Sequence, residues 1–237
     1  MADTTDESRQ QIATLRAQGL NPKAIAKKLA LRPAQVSEII RQQAEARAVD
    51  QPESQRPLAR CLVSPAWASG LILDSQAKEW PGAPVSPAQE NGLAIVLVAR
   101  EYRYDKVLAS SFMLDLFCLG AKSVIPPKIL TRTELDAFTW KVFSQIGDPL
   151  IAPLELAQNL VFGSIDYARN LGFEPDPDFE KARSLLGEWA GPGHIQFGRN
   201  GKPFFVNGPH DDVDRTLATL RRTVGEGNYD FVLGGPA

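Results

Sequence analysis

Pro33 is the residue that most restricts what this chain can fold into. A helix that opens at Asn21 and Pro22 cannot run through it, because proline lacks the backbone N–H and its ring collides with the preceding turn. The stretch NPKAIAKKLALRPAQVSEII, residues 21 to 40, therefore has to be two short helices joined at Ala30 and Leu31. Asn21 is suited to cap the first and Pro22 to take its first position, with Ile25, Ala26 and Leu29 sharing one face. Pro33 opens the second, with Val36, Ile39 and Ile40 as the inward stripe. An earlier helix is expected between Asp6, a capping residue, and Gly19, a stop signal, with Ile12 and Leu15 on one side. Helices this short are marginal alone, so their apolar stripes must meet in a small bundle.

Charge separates this segment from the rest. Ser8 to Arg47 holds eight cations (Arg9, Arg16, Lys23, Lys27, Lys28, Arg32, Arg41, Arg47) against two anions (Glu38, Glu45), a net of +6. The whole chain carries −2, so the remainder carries −8. Affinity for a polyanion has to come from this local patch and not from overall charge. Two modules are expected within 237 residues: a domain at 1–47, a polar linker at 48–60 where Pro52 and Pro57 sit without apolar period, and a larger domain at 61–237.

The spacing of Ile25, Ala26, Leu29, Leu31, Val36 and Ile39 resembles the helix-turn-helix family, in the trihelical form of homeodomain-like and resolvase or invertase DNA-binding domains. The match covers roughly Ser8 to Ala46. Two positions depart from it: Ala30 stands where the family usually has glycine in the turn, and Arg32 where Ser or Thr commonly caps the third helix. The resemblance implies that the third helix enters the major groove, with Arg32, Ala34, Gln35, Ser37, Glu38, Arg41 and Gln42 facing outward. Gln35, Ser37 and Arg41 are then aimed at base edges, glutamine matching adenine and arginine matching guanine, with Gln42 beside them. Lys23, Lys27 and Lys28 on the second helix would meet phosphates and position the complex without reading sequence. Glu38 on this surface repels phosphate unless it meets a cytosine amine. The alternatives are a merely solvated charged face on a small helical bundle, and a trihelical module that docks proteins.

In the larger domain RCLVS, LAIVLVAR (93–100) and KVLASSFMLDLF read as strands, the last two as an antiparallel pair in a covered sheet. Thr131 and Glu134 form a capping box at the head of ELDAFTWKVFSQI. A long helix is expected from Pro153 to Asn170, and a shorter one in DPDFEKARSLLGEW with Asp176 as cap and Pro177 at its first position. IQFGRNGKPFFVNG carries a hairpin signal at Asn200 and Gly201, 212–224 is a final helix, and NYDFVL a closing strand. The expected class is α+β with a mainly antiparallel sheet, following a small all-α domain. FMLDLFCLGAKSV, ELAQNLVFGSIDYARNLGFEPDPDFE and the segment from Phe197 to Phe231 are similar to a bacterial family of uncharacterised proteins, a resemblance that implies a shared fold and brings no catalytic residues.

Signals for chemistry are sparse. His194 and His210 have no partner at metal spacing, and neither a GxSxG elbow nor a Walker-type loop occurs, so no metal or cofactor is expected. Asp115, Cys118 and Lys122, at the end of an apolar strand, are the one polar cluster with catalytic potential, set against plain packing of a buried thiol. Phe162 falls on the polar side of the long helix; either other segments cover it or it marks a subunit contact. Trp67, Trp80, Trp140 and Trp189 read as core or turn packing. The acidic start shows no secretory signal, the most apolar tract is too short to span a bilayer, and Cys61 and Cys118 are far apart, which fits a cytoplasmic protein without a membrane partner. The expected role is a regulator that binds nucleic acid, DNA in the first place and RNA as the alternative, with a homodimer or protein partner supplying a second grip. The rival expectations are an enzyme in the larger domain and a protein-interaction scaffold.

Overall fold

The structure is a computed structural model that describes residues 6–18, 20–82, 91–103, 105–191 and 193–234. Gly19 lies outside them, as do the side chains of Asp6, Glu45 and Arg47, so the cap readings and two of the counted charges are not described. The chain divides into two compact units: Met1–Pro52 with Tyr102–Lys106, and Glu53–Glu101 with Val107–Ala237. No described helix is long and apolar enough to cross a membrane.

The N-terminal unit holds α1 (Asp6–Ala17), α2 (Pro22–Leu29) and α3 (Pro33–Asp50). Their shared core is Ile12, Leu15, Ile25, Ala26, Val36 and Ile39, with Leu20, Leu29, Leu31 and Ile40 packed against it. The Asn21 side chain accepts from the Ala24 N–H at 2.9 Å, satisfying one orphan donor at the head of α2. Ala30 ends α2 in the left-handed region at φ 51°, ψ 36°. This lets the Leu31 N–H reach the Ala26 carbonyl at 3.0 Å and turns the chain toward Pro33.

The larger unit is built on a five-stranded sheet, in spatial order β5 (Gly120–Thr131), β4 (Lys106–Asp115), β3 (Leu93–Arg103), β1 (Leu58–Val63) and β6 (Leu150–Ile151). β1 runs antiparallel to both β3 and β6. Alternate residues of β3 face opposite sides. Ile95, Leu97 and Ala99 join Leu62, Val107 and Ala109 in a core with Leu135 and Phe143 of α4 (Arg132–Phe143). On the β1 and β5 strands pack α5 (Leu154–Asn170) and α6 (Phe179–Leu186). Arg100, 5% exposed, donates to the Leu185 carbonyl at 2.6 Å and the Arg56 carbonyl at 2.7 Å. The first of these lies in the last turn of α6, where carbonyls are orphaned and the helix dipole favours a cation. A satellite core of Cys118, Leu171, Phe205, Leu220 and Tyr229 lies under α7 (Val213–Thr223).

Several expectations needed correction. The polar stretch 48–60 is not a bare tether: α3 runs to Asp50, Glu53–Gln55 form a 3₁₀ turn, and β1 begins at Leu58. The Ser184 hydroxyl donates to Glu53, and the Arg56 carbonyl serves Arg100, so this stretch is bonded into the larger unit. β3 extends through Arg103 instead of stopping at Arg100. The short helix starts at Phe179 because Asp176 first caps a turn, accepting from the Asp178 N–H at 2.8 Å. The hairpin signal is half right. Asn200 and Gly201 adopt φ 52° and 82° and close a single Arg199–Lys202 bridge. The flanking strands do not pair with each other, however: β7 (Ile195–Gln196) joins β2 (Ile72–Leu73) antiparallel, and β8 (Phe204–Val206) joins β9 (Asp230–Val232) parallel.

Candidate nucleic-acid interface

α2 and α3 place the segment's polar residues by the same periodicity that buries Ile25, Ala26, Val36 and Ile39. Lys23, Lys27 and Lys28 of α2 and Arg32, Gln35, Ser37, Arg41 and Gln42 in and before α3 are all exposed. Among the described residues no ion pair engages Lys23, Lys27, Lys28 or Arg32. Four basic side chains within ten residues thus face solvent.

The structure distributes the remaining residues unevenly. Gln35 is the third residue of α3, and its Oε1 accepts from the Arg32 N–H at 3.2 Å. This is the glutamine half of a capping box, and it explains how α3 begins without Ser or Thr in front of Pro33. Bidentate reading of adenine uses both the oxygen and the nitrogen of a glutamine amide, so Gln35 as it stands is a cap and not a reader. Glu38 Oε1 accepts from Arg41 Nη2 at 2.6 Å and from Gln42 Nε2 at 3.0 Å, and its Oε2 is 2.6 Å from the same Arg41 nitrogen. Arg41, with Gln42 one turn away, holds the Glu38 carboxyl below the usual carboxylate range. Gln42 in turn accepts from Arg9 Nη2 of α1 at 3.4 Å. Ser37 is exposed between these groups. Sequence spacing exposed the surface correctly, but it gave no sign of the Arg9–Gln42–Glu38–Arg41 chain, which depends on how α1 crosses α3.

In the larger unit the flagged residues have structural work. Asp115, 4% exposed, accepts from the Phe117 and Cys118 N–H groups at 3.0 Å each and so caps the turn between β4 and β5. Burial pushes its carboxyl up to about 6, against the pull of those N–H groups and of Lys122. Gly120 follows at φ +67°, where a Cβ would lie 2.9 Å from the Ser164 carbonyl oxygen of α5, so no other residue fits that approach. Cys118 is fully buried, and burial together with the Asp115 charge raises its thiol, which keeps it protonated and inert. Lys122 closes onto Asp211 at 2.6 Å, and Asp211 also accepts from the Gly208 N–H. Phe162 is 7% exposed, stacked on Trp189 at 6.0 Å and edge-on to Phe179 at 6.0 Å, so segments distant in sequence cover it and a subunit contact has nothing to touch. Trp140, read as packing, instead stands 76% exposed on α4.

One polar cluster escaped the sequence. His194 Nδ1 lies 2.7 Å from Asp74 Oδ2 and its Nε2 3.8 Å from Glu155 Oε1, with the Trp80 ring edge-on at 5.8 Å. Asp74 and His194 are 120 residues apart and meet only because β2 pairs with β7. The Ala77 N–H donates to Asp74, Gln76 donates to Glu155, and the His194 N–H donates to Asn159. These bonds pin the 74–80 segment and the loop before β7 onto α5, beside an open cleft of about 500 Å³ lined by Ser75, Gln76, Glu79 and Trp80. No group of three or more metal-ligating side chains is suitably placed among the described residues. No protein family, curated protein or solved structure matches the chain.

Proposed function

We propose that the N-terminal unit binds nucleic acid, duplex DNA in the first place, through a helix-turn-helix formed by α2 and α3, and that the protein is a regulator whose larger unit serves assembly or partner binding. The observation that carries this reading is the row of exposed cations Lys23, Lys27, Lys28 and Arg32, unpaired among the described residues, on a segment of net +6 within a chain of net −2. Unpaired cations at this density repel one another slightly, and an outside polyanion relieves that repulsion. Lys23, Lys27 and Lys28 take phosphates, Arg32 supports them at the head of α3, and Arg41 and Ser37 are the residues for base edges. One module makes few contacts, so a second copy or a partner completes the grip.

Fluorescence anisotropy with short labelled duplexes of differing sequence tests this on the whole protein at low salt. Lys28→Ala is expected to weaken all duplexes alike and reduce the salt slope by about 1, whereas Arg41→Ala relaxes the preference among sequences. A wild-type protein that binds no duplex at low salt overturns the reading.

A further inference from the structure

We propose that Glu38 is a positioning residue for recognition: it fixes the guanidinium of Arg41 on the outer face of α3 so that Arg41 meets a guanine edge in place of the phosphate backbone. The inference rests on the nucleic-acid reading above.

Glu38 is the only acidic residue between Ser8 and Gln43, set on a surface that otherwise gathers cations. By charge alone it weakens attraction to phosphate, so its position needs a compensating use. Helix stability does not supply one, because the Glu38 and Arg41 side chains are 44% and 50% exposed and exposed pairs of this kind contribute little. The bonds around it do supply one. Both carboxylate oxygens lie 2.6 Å from Arg41 Nη2, and Gln42, which donates to Oε1 at 3.0 Å, is itself held from α1 by Arg9. The carboxylate is therefore anchored on one side and grips the arginine on the other.

An arginine stem has many rotamers, and a loose one swings to the nearest phosphate, adding affinity without information. Held by a carboxylate, a planar guanidinium presents a defined edge, and guanine O6 and N7 take two of its five N–H donors. Ordering the side chain before binding lowers the entropic cost of the specific complex. It also removes one phosphate contact from the non-specific complex.

The test uses the full-length protein, a G·C-rich duplex and the same duplex carrying 7-deazaguanine, which lacks the N7 acceptor. Wild type is expected to prefer the guanine duplex by about fivefold or more, the low end for a bidentate pair. Glu38→Ala is expected to bring that ratio below about twofold, to bind both duplexes more tightly, and to steepen the log–log salt slope by about 0.9, one added phosphate contact. Glu38→Gln, which keeps the side-chain length and one acceptor, is expected to retain part of the ratio and serves equally if Glu38→Ala unfolds. The same ratio and slope in both variants as in wild type, or weaker binding to both duplexes, overturns the inference. Wild type that binds duplexes without any guanine preference overturns this inference alone, whereas wild type that binds none overturns the nucleic-acid reading with it.

Discussion

The two units of this chain differ in where they keep their most closely spaced cations and where they bury charged groups. In the N-terminal unit Lys23, Lys27, Lys28 and Arg32 lie outside a core that holds six buried side chains among the described residues, and no ion pair engages them there. In the larger unit Arg100 is buried against two carbonyls, Lys122 is closed onto Asp211, and Asp115 is consumed by the turn it caps. A donor spent inside the fold stabilises that fold and is lost to any ligand. A cation kept outside and unpaired destabilises its own surface slightly and is available to an anion. Exposed cations without an ion pair among the described residues also occur in the larger unit, at Lys78, Lys128, Lys141, Arg215, Arg221 and Arg222, but Lys23, Lys27, Lys28 and Arg32 gather on one short segment of the smaller unit.

The contrast breaks first at Phe162. If the aromatic cluster of Phe162, Phe179 and Trp189 is core, Phe162→Ala should lower unfolding stability by about 3 to 4 kcal/mol in urea titration and leave duplex binding by the folded fraction unchanged. Loss of assembly without loss of stability would instead make it an interface. Asp115 gives the next largest effect. Its carboxyl is raised from an ordinary value of 3.8 to about 6, so between those values the folded state binds more protons than the unfolded one. Stability should consequently fall as pH climbs from about 4 to about 6, by on the order of 3 kcal/mol, and then level off. Asp115→Asn keeps the oxygen that accepts from Phe117 and Cys118 and should flatten that window; an unchanged pH profile in the variant would show that another group is responsible. The smallest effect is expected in the N-terminal unit, where Ala30 holds a left-handed conformation that suits glycine. Ala30→Gly should raise the stability of that unit by roughly 0.5 to 1 kcal/mol, followed by the thermal melt of its helices, and a lower melting temperature would contradict the turn geometry.

The same division governs what could be read in advance. Local signals carried well: the Asn21 cap, the Thr131–Glu134 box and the apolar runs of β3 and β4 depend on neighbours in sequence. Features set by distant partners did not. No strand is expected over 120–131, which holds Pro126 and Pro127, yet β5 is an edge strand, where a missing N–H is tolerated. The Asn200–Gly201 turn forms, but β2 and β9 capture the strands on either side of it. Phe162 is covered, one of its two expected fates, by residues 179 and 189, whereas Trp140, expected to pack, stands exposed. At the candidate interface, spacing revealed which side chains face out. The bonds that commit Gln35 to capping and tie Glu38 to Arg41 and Gln42 became visible only with the three helices in place.

The most direct test of the central claim is the salt dependence of duplex binding by the full-length protein. With about four phosphates neutralised by Lys23, Lys27, Lys28 and Arg32, log affinity should fall against log salt with a slope of roughly −3 to −4, and joint replacement of the three lysines by alanine should bring it to about −1. A flat salt response, or no binding at the lowest salt, would contradict the account.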